Sequence, residues 1–113
     1  MADGEAPAPG LAQTVADSLG QVFGAEPGRV WVRLERIDRG HYAENGCAVD
    51  DDELPVFVHV LHARLPVGEA LAAEARSIAG EVAAVLKRSA DRVHVEYAPP
   101  GAGRIAFGGR LVT

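Results

Sequence analysis

Apolar residues recur at helical spacing in two segments of the chain. The first predicted helix begins at Leu11 and ends before Gly24, and its apolar stripe consists of Leu11, Val15, Leu19, Val22 and Phe23. The second covers residues 67–89, and its stripe consists of Leu71, Ala75, Ile78, Val82, Val85 and Leu86. The pattern therefore predicts two amphipathic helices, of which the second is the longer.

Other segments have patterns that are typical of strands. Residues 30–34 are rich in β-branched and aromatic residues, with apolar residues at every second position, and residues 55–61 are almost continuously apolar. Residues 93–97 are predicted to form a third strand. A near-continuous apolar strand is typical of a parallel pair covered by helices, so we expect residues 55–61 to be buried on both faces. Residues 103–112 predict a terminal hairpin or strand. The order α-β-β-α-β predicts β-α-β units in a two-layer α/β sandwich.

The chain matches itself without a gap when residues 11–46 are shifted by 63 positions. Helix then falls on helix, strand on strand and glycine on glycine, as in Arg29-Val30 on Arg92-Val93 and Gly40 on Gly103. The match predicts one domain over residues 1–113, with a flexible lead-in at 1–10, a first unit at 11–46 and a second unit at 54–113. The alternative is a pair of generic α-β pieces in a chain rich in alanine and valine.

The second unit has a strand that the first unit lacks. Subtracting 63 from residues 55–61 places their counterpart before residue 1. The sequence therefore predicts two β-α-β units in which the first strand of the first unit is absent. Because an exposed sheet edge is usually paired or covered, we expect a homo-oligomer.

Residues 54–112 resemble the tautomerase superfamily, in particular 4-oxalocrotonate tautomerase. The resemblance is carried by the first strand up to Arg64, the amphipathic helix, the strand around His94 and the glycine hairpin Ala106-Phe107-Gly108-Gly109-Arg110-Leu111. The first unit resembles the later two-thirds of the same unit through Val30-Trp31-Val32 and the segment from Gly40 to Gly46. A fused pair is similar to the malonate semialdehyde decarboxylase and haloacrylic acid dehalogenase groups.

The resemblance implies a trimer of β-α-β chains that acts as an isomerase on a small carboxylated enol or keto acid. It also implies that Arg64 binds the substrate carboxylate and that Tyr42 orients or polarises the substrate. His94 and Trp31 occupy the place of a second substrate-binding arginine in the two units. His94 is the candidate proton carrier because the pKa of a histidine lies near neutrality. The structural alternative for His94 is a partly buried strand histidine with a backbone partner.

The family uses an N-terminal proline as its base, and this sequence has none in that position. The corresponding slot falls at Leu54, next to Pro55, and a proline inside a chain is an amide that cannot serve as a general base. Three explanations are open: a gene product that starts upstream, a member that kept the scaffold without tautomerase activity, or another group that carries the proton. The alternative function is that of a non-enzymatic structural or small-acid-binding protein.

Composition narrows the remaining classes of function. The chain of 113 residues is 48% hydrophobic and 24% charged, as in a globular domain. Its net charge of −5 argues against a nucleic-acid partner, and its apolar runs are too short for a membrane span. A single cysteine and a first segment without a signal peptide predict a cytoplasmic location.

Other polar groups predict no further chemistry. His59 and His62 are expected on opposite faces of a strand and cannot share a metal ion. The acidic run from Asp50 to Glu53 is read as a solvated loop, and Cys47 as an incidental thiol, because no basic residue stands beside it. The sequence therefore predicts neither a cofactor nor a metal.

Overall fold

The computed structural model describes residues 8–113, except for the side chain of Asp52, and shows a mixed α/β chain. Residues 1–7 of the predicted lead-in lie outside the described residues. The two helices are α1 (Leu11–Phe23) and α2 (Gly68–Leu86), and the strands are β1 (Val56–Val60), β2 (Val93–Tyr97), β3 (Ala106–Phe107) and β4 (Arg110–Leu111). Short 3-10 turns cover Arg39–His41, Asp51–Glu53 and Ala90–Arg92.

The second half of the described chain forms one β-α-β unit. Strands β1 and β2 are parallel, with Val56 opposite Val93 and Val60 opposite Tyr97, and α2 is the crossover between them. Strands β3 and β4 form an antiparallel hairpin. The predicted parallel pair, long helix and terminal hairpin are therefore confirmed.

Helix α1 begins and ends as the sequence predicts. Gly24 adopts a left-handed conformation, with φ of 60°, and its N–H donates to the carbonyls of Gln21 and Gly20. Glycine reaches this conformation without a steric penalty, which explains why the helix ends there. The core lies between the two helices and β2, and consists of Val15, Leu19, Ile78, Val82, Ala83 and Val93.

The predicted strand at residues 30–34 is wrong, because the segment belongs to neither a helix nor a strand. Its burial still alternates: Val30, Val32 and Leu34 are half-buried, whereas Trp31 and Arg33 are exposed. Among residues 8–113, the backbone of this segment forms no hydrogen bond to another backbone group. The alternation therefore comes from packing on the core. The ladder of a strand is missing because no strand formed by residues 8–113 lies beside this segment.

The predicted burial of β1 on both faces is also wrong. Val56, Val58 and Val60 face the helices and are half-buried, whereas Phe57 and His59 are exposed on the opposite face. The reason is that both helices cover the same face of the sheet, and no helix of the described chain covers the other.

Hydrogen bonds recur at the 63-residue offset of the sequence match. Ser18 Oγ donates to Glu81 Oε2 at 2.7 Å, so this residue contacts its own counterpart, as residues near a two-fold axis do. Three backbone hydrogen bonds of the first unit recur in the second: Ala25 N–H to the Gly20 carbonyl recurs as Arg88 to Ala83, Arg29 to Glu26 recurs as Arg92 to Ser89, and His41 to Asp38 recurs as Arg104 to Gly101. The β-bridge Glu44–Cys47 likewise recurs as the strand pair Phe107–Arg110.

Candidate functional site

Tyr42 and Arg92 bind the same carboxylate oxygen. The Tyr42 hydroxyl donates to Glu44 Oε2 at 2.5 Å, and Nη2 of Arg92 donates to the same oxygen at 2.6 Å. Nε of Arg92 also donates to the backbone carbonyl of Glu53 at 2.5 Å. Tyr42 follows the turn Arg39–His41, and Arg92 ends the turn that leads into β2. The cluster thus joins the loop of the first unit to the start of β2.

The cluster fixes the charge of each member. The hydrogen bond from Tyr42, together with the one from Arg92, lowers the pKa of Glu44. The same bond to Glu44, followed by partial burial, raises the pKa of Tyr42. Around neutral pH Glu44 is therefore an anion held between a neutral phenol and a guanidinium.

His94 belongs to the same cluster through Phe57. The ring centroids of Tyr42 and Phe57 lie 6.1 Å apart, and those of Phe57 and His94 lie 5.5 Å apart. The charge of a protonated His94 is the smallest of the contributions that lower the pKa of Glu44. The structure thus brings Tyr42 and His94 to one side of the sheet, where His94 is exposed.

Arg64 and Trp31 lie elsewhere. Nη2 of Arg64 donates to the backbone carbonyl of Thr113, beyond the carboxyl end of β1. Nε1 of Trp31 donates to the carbonyl of Gly28 at 2.8 Å, and the indole packs edge-on against Phe107 at 4.8 Å. Within the described residues, neither side chain forms a hydrogen bond or a ring pair with Tyr42 or His94. Their assignment to the substrate site stays a prediction.

Sequence reasoning missed Glu44 and Arg92. Their hydrogen bond spans 48 positions, so no local spacing connects them. The one available signal was the recurrence of Arg29-Val30 at Arg92-Val93, which singled out Arg92 without indicating its partner.

A second cluster, also missed, lies at the carboxyl end of the parallel pair. Nε2 of His62 lies 2.9 Å from Glu74 Oε2, and the Tyr97 hydroxyl donates to the same oxygen at 2.7 Å. The His62 and Glu74 side chains are 21% and 14% exposed, and Phe23 packs edge-on against the imidazole. Burial and the bond to Glu74 raise the pKa of Tyr97. This arrangement orients the His62 imidazole by a carboxylate.

A groove of about 920 Å³ separates residues 30–34 from β1. We call it the central groove; residues 30–35 form one wall and residues 54–62 the other. Apolar side chains of α1 and α2 form its floor, namely Val15, Leu19, Val22, Phe23, Val82 and Leu86. His62 and Glu74 also line it, so the second cluster opens into the groove.

Two searches over the described part of the chain give plain results. In residues 8–113, no group of three or more His, Cys, Asp or Glu side chains could hold a metal ion. The helices found there are too short or too polar to cross a membrane. The chain matches no protein-family model, and a search among curated proteins finds no match either.

Proposed function

We propose that the chain is an isomerase-like protein of the tautomerase type that acts on a small carboxylated enol or keto acid at the Tyr42–Arg92–His94 cluster. The carrying observation is that the Tyr42 hydroxyl and the Arg92 guanidinium converge on one carboxylate oxygen. That carboxylate belongs to Glu44. A substrate carboxylate would displace Glu44 and accept the same two hydrogen bonds, which are charge-assisted and therefore strong.

His94 would carry the proton. In ketonisation the enol oxygen loses a proton and the neighbouring carbon gains one. A neutral His94 accepts the first proton, and the resulting imidazolium donates a proton to the carbon, so the histidine ends as it began. The exposed position of His94 beside Phe57 leaves room for a substrate on this face. Pro55 plays no part as a base, since it is an amide within the chain.

The fold proposal rests on the topology, and the assembly proposal rests on exposed apolar side chains. The parallel β1-α2-β2 unit and the hairpin are compatible with a tautomerase-type sandwich of β-α-β units. Phe57 of β1 and Phe107 and Leu111 of the hairpin are about half exposed, at 47%, 46% and 56%. Exposed apolar side chains of this kind are candidates for burial between copies of the chain, which supports a homo-oligomer. The trimeric state follows from the tautomerase resemblance, and the cytoplasmic location from the single cysteine. Multi-angle light scattering that gave the mass of one chain at micromolar concentration would contradict the oligomer.

A second candidate function is binding of a small acid without turnover. It is favoured by the occupied state of the site, because Glu44 already holds both donors. A site whose donors are held by an internal carboxylate recognises acids only by competition.

Turnover separates the two candidates. The assay follows ketonisation of phenylenolpyruvate by the wild type and by Arg92→Ala and His94→Gln, with the exposed Arg104→Ala as a matched control. We expect at least a tenfold loss of kcat/KM in both site variants and no loss in the control. Arg64→Ala tests the remaining predicted contact. Equal rates in all variants would overturn the proposed site.

Binding is measured on the same proteins by thermal shift with phenylpyruvate, the keto product of that reaction. Glu44→Gln removes the competing carboxylate, so the acid should raise the melting temperature of this variant more than that of the wild type. Binding that Arg92→Ala abolishes, without turnover in any protein, would select the second candidate. The absence of both binding and turnover would reject both.

A further inference from the structure

A small open cavity adjoins the contact between Tyr42 and Glu44. Its volume is about 140 Å³, and Arg39, Tyr42 and Glu44 are among the residues that line it. We call it the side cavity. A space of roughly 10–15 Å³ already admits one water molecule, so the side cavity has room for a carboxylate group. Glu44 therefore borders two places, the site where it meets Tyr42 and Arg92 and the space beside Arg39.

The Arg39 guanidinium has one nitrogen that forms no hydrogen bond. Nη2 donates to the backbone carbonyl of Val49, which fixes the group in its loop. Nη1 is buried and donates no hydrogen bond within the described residues. Asp51 Oδ1 lies 2.5 Å from Nη1 but outside the direction of its N–H groups, so this pair is a contact between charges. A buried donor without an acceptor is unfavourable, and a better-placed acceptor would relieve it.

The ion pair between Arg39 and Asp51 leaves room for a second carboxylate. The Asp51 side chain is 79% exposed, whereas that of Glu44 is 32% exposed. An ion pair with so exposed a partner contributes little, because water screens it. Nη1 itself is shielded from water, so a carboxylate in the side cavity would meet it with less screening.

Binding of an acid at the proposed site requires that the Glu44 carboxylate leave it. In the free chain this carboxylate accepts hydrogen bonds from the Tyr42 hydroxyl and from Nη2 of Arg92. An anion that loses both donors needs a new partner, either water or a cation. Arg39 lines the same cavity as Glu44 and is a cation with an unused N–H group.

We propose that Arg39 is the second partner of Glu44 and therefore a positioning residue of the site. When a small carboxylic acid takes the hydrogen bonds of Tyr42 and Arg92, the Glu44 side chain turns into the side cavity and accepts a hydrogen bond from Nη1 of Arg39. Arg39 does not touch the acid. It stabilises the displaced Glu44 and so raises the affinity for the acid. The inference rests on the function proposed for this site and adds how the site opens.

A double-mutant cycle tests the proposal. Arg39→Gln removes the charge of the guanidinium, Glu44→Gln removes the charge of the displaced group, and a further protein carries both substitutions. The dissociation constant for phenylpyruvate is measured by isothermal titration calorimetry. We expect Arg39→Gln to weaken binding about tenfold when Glu44 is present and less than about twofold in the Glu44→Gln background, because a neutral amide does not need the guanidinium.

The cycle separates this role from a structural one. Loss of the hydrogen bond to Val49 acts equally in both backgrounds, so support of the loop by Arg39 cancels. Arg36→Gln is the matched control, since Arg36 is also a loop arginine in an ion pair and does not line the side cavity. It should leave the affinity unchanged. Arg39→Lys keeps a positive charge at the cavity and should bind the acid more tightly than Arg39→Gln.

Three results would overturn the proposal. An effect of Arg39→Gln that has the same size in both backgrounds would mean that Arg39 supports the loop or contacts the acid directly. No effect in either background would mean that the displaced Glu44 turns to water. Both results leave the proposed function intact, because the acid still binds. Absence of binding to the wild type and to Glu44→Gln would instead overturn the function proposed for the site, and this inference with it.

Discussion

Residues 30–34 and residues 93–97 have the same alternating pattern and occupy equivalent places in the two units, yet only the second segment is a strand. Each follows a hydrogen-bonded turn, Arg29 N–H to Glu26 in one case and Arg92 N–H to Ser89 in the other. What differs is the neighbour, because β2 lies beside β1 and residues 30–34 lie beside the central groove. A pattern selects the face that a segment buries, whereas a strand also needs a partner backbone.

The two helices can be compared in the same way, through the residues that they bury in the core. Val15 of α1 and Ile78 of α2 are counterparts and both are buried, at 5% and 0% exposure. Ile78→Ala should lower the free energy of unfolding by about 2–5 kcal/mol, since it deletes fully buried methyl and methylene groups. Val15→Ala deletes fewer atoms and should cost less. Urea unfolding of both variants checks the order, and an equal or larger loss at Val15 would contradict it.

Proline substitution should give the clearest difference in stability between residues 30–34 and residues 93–97. Glu96→Pro removes a ladder donor to Val58 and should cost about 2–3 kcal/mol, the sum of a lost hydrogen bond and an unsatisfied carbonyl. Arg33→Pro at the counterpart position should cost less than about 0.5 kcal/mol, as is usual for exposed sites without backbone bonds. Both side chains lie on the surface in exposed ion pairs, so side-chain loss is matched. A similar loss in both variants would show that residues 30–34 are already paired.

The pKa values of the two tyrosines allow the two carboxylate clusters to be compared. The chain has only Tyr42 and Tyr97, and both have a raised pKa, the first mainly through its bond to Glu44 and the second mainly through burial. Phenolate absorbance should therefore appear only above the usual value of about 10. Glu44→Gln should lower the pKa of Tyr42 alone, and Glu74→Gln that of Tyr97 alone. Phenolate formation at the ordinary pH in the wild type would contradict both clusters.

The same shifts predict how stability depends on pH. A raised pKa in the folded state contributes stability that is present below the unfolded value and is lost as the pH rises through the folded value. For Tyr42 and Tyr97 this loss occurs at alkaline pH. The lowered pKa of Glu44 works in the opposite direction, since its contribution is present above the unfolded value and is lost as the pH falls through the folded value. The free energy of unfolding, measured at several pH values with Glu44→Gln as the control, tests both the loss of stability at alkaline pH and the loss at acidic pH.

The smallest expected difference in stability concerns the residues that end the two helices. Gly24 and Lys87 are counterparts, and both adopt a left-handed conformation, with φ of 60° and 57°. A lysine is strained there and a glycine is not. Lys87→Gly should therefore stabilise the chain by about 0.5–1 kcal/mol, after the entropy cost of glycine is subtracted. Gly24→Lys should destabilise it by a similar amount. The urea midpoints should move in opposite directions, and a shift of the same sign would contradict this account.

The periodicity of the sequence predicts those elements whose structure depends on residues close together in the chain. The stripes of α1 and α2, the alternation of β2 and the glycines of the hairpin were sufficient for these elements, including the end of α1 at Gly24. The same reasoning failed at residues 30–34 because their pairing depends on a strand that no spacing within the segment reports. It failed at Glu44 and Arg92, and at His62 and Glu74, because those contacts cross between elements. Tyr42 and His94 were predicted one by one, and their proximity through Phe57 emerged only from the fold.

The most direct measurement is hydrogen exchange of the free chain, residue by residue, over residues 30–34 and 93–97. The account predicts slow exchange at the ladder amides of His94, Glu96 and Ala98 and fast exchange at Trp31 and Arg33. Equal protection in the two segments of the free chain would contradict it, because the wall at residues 30–34 would then already have its partner.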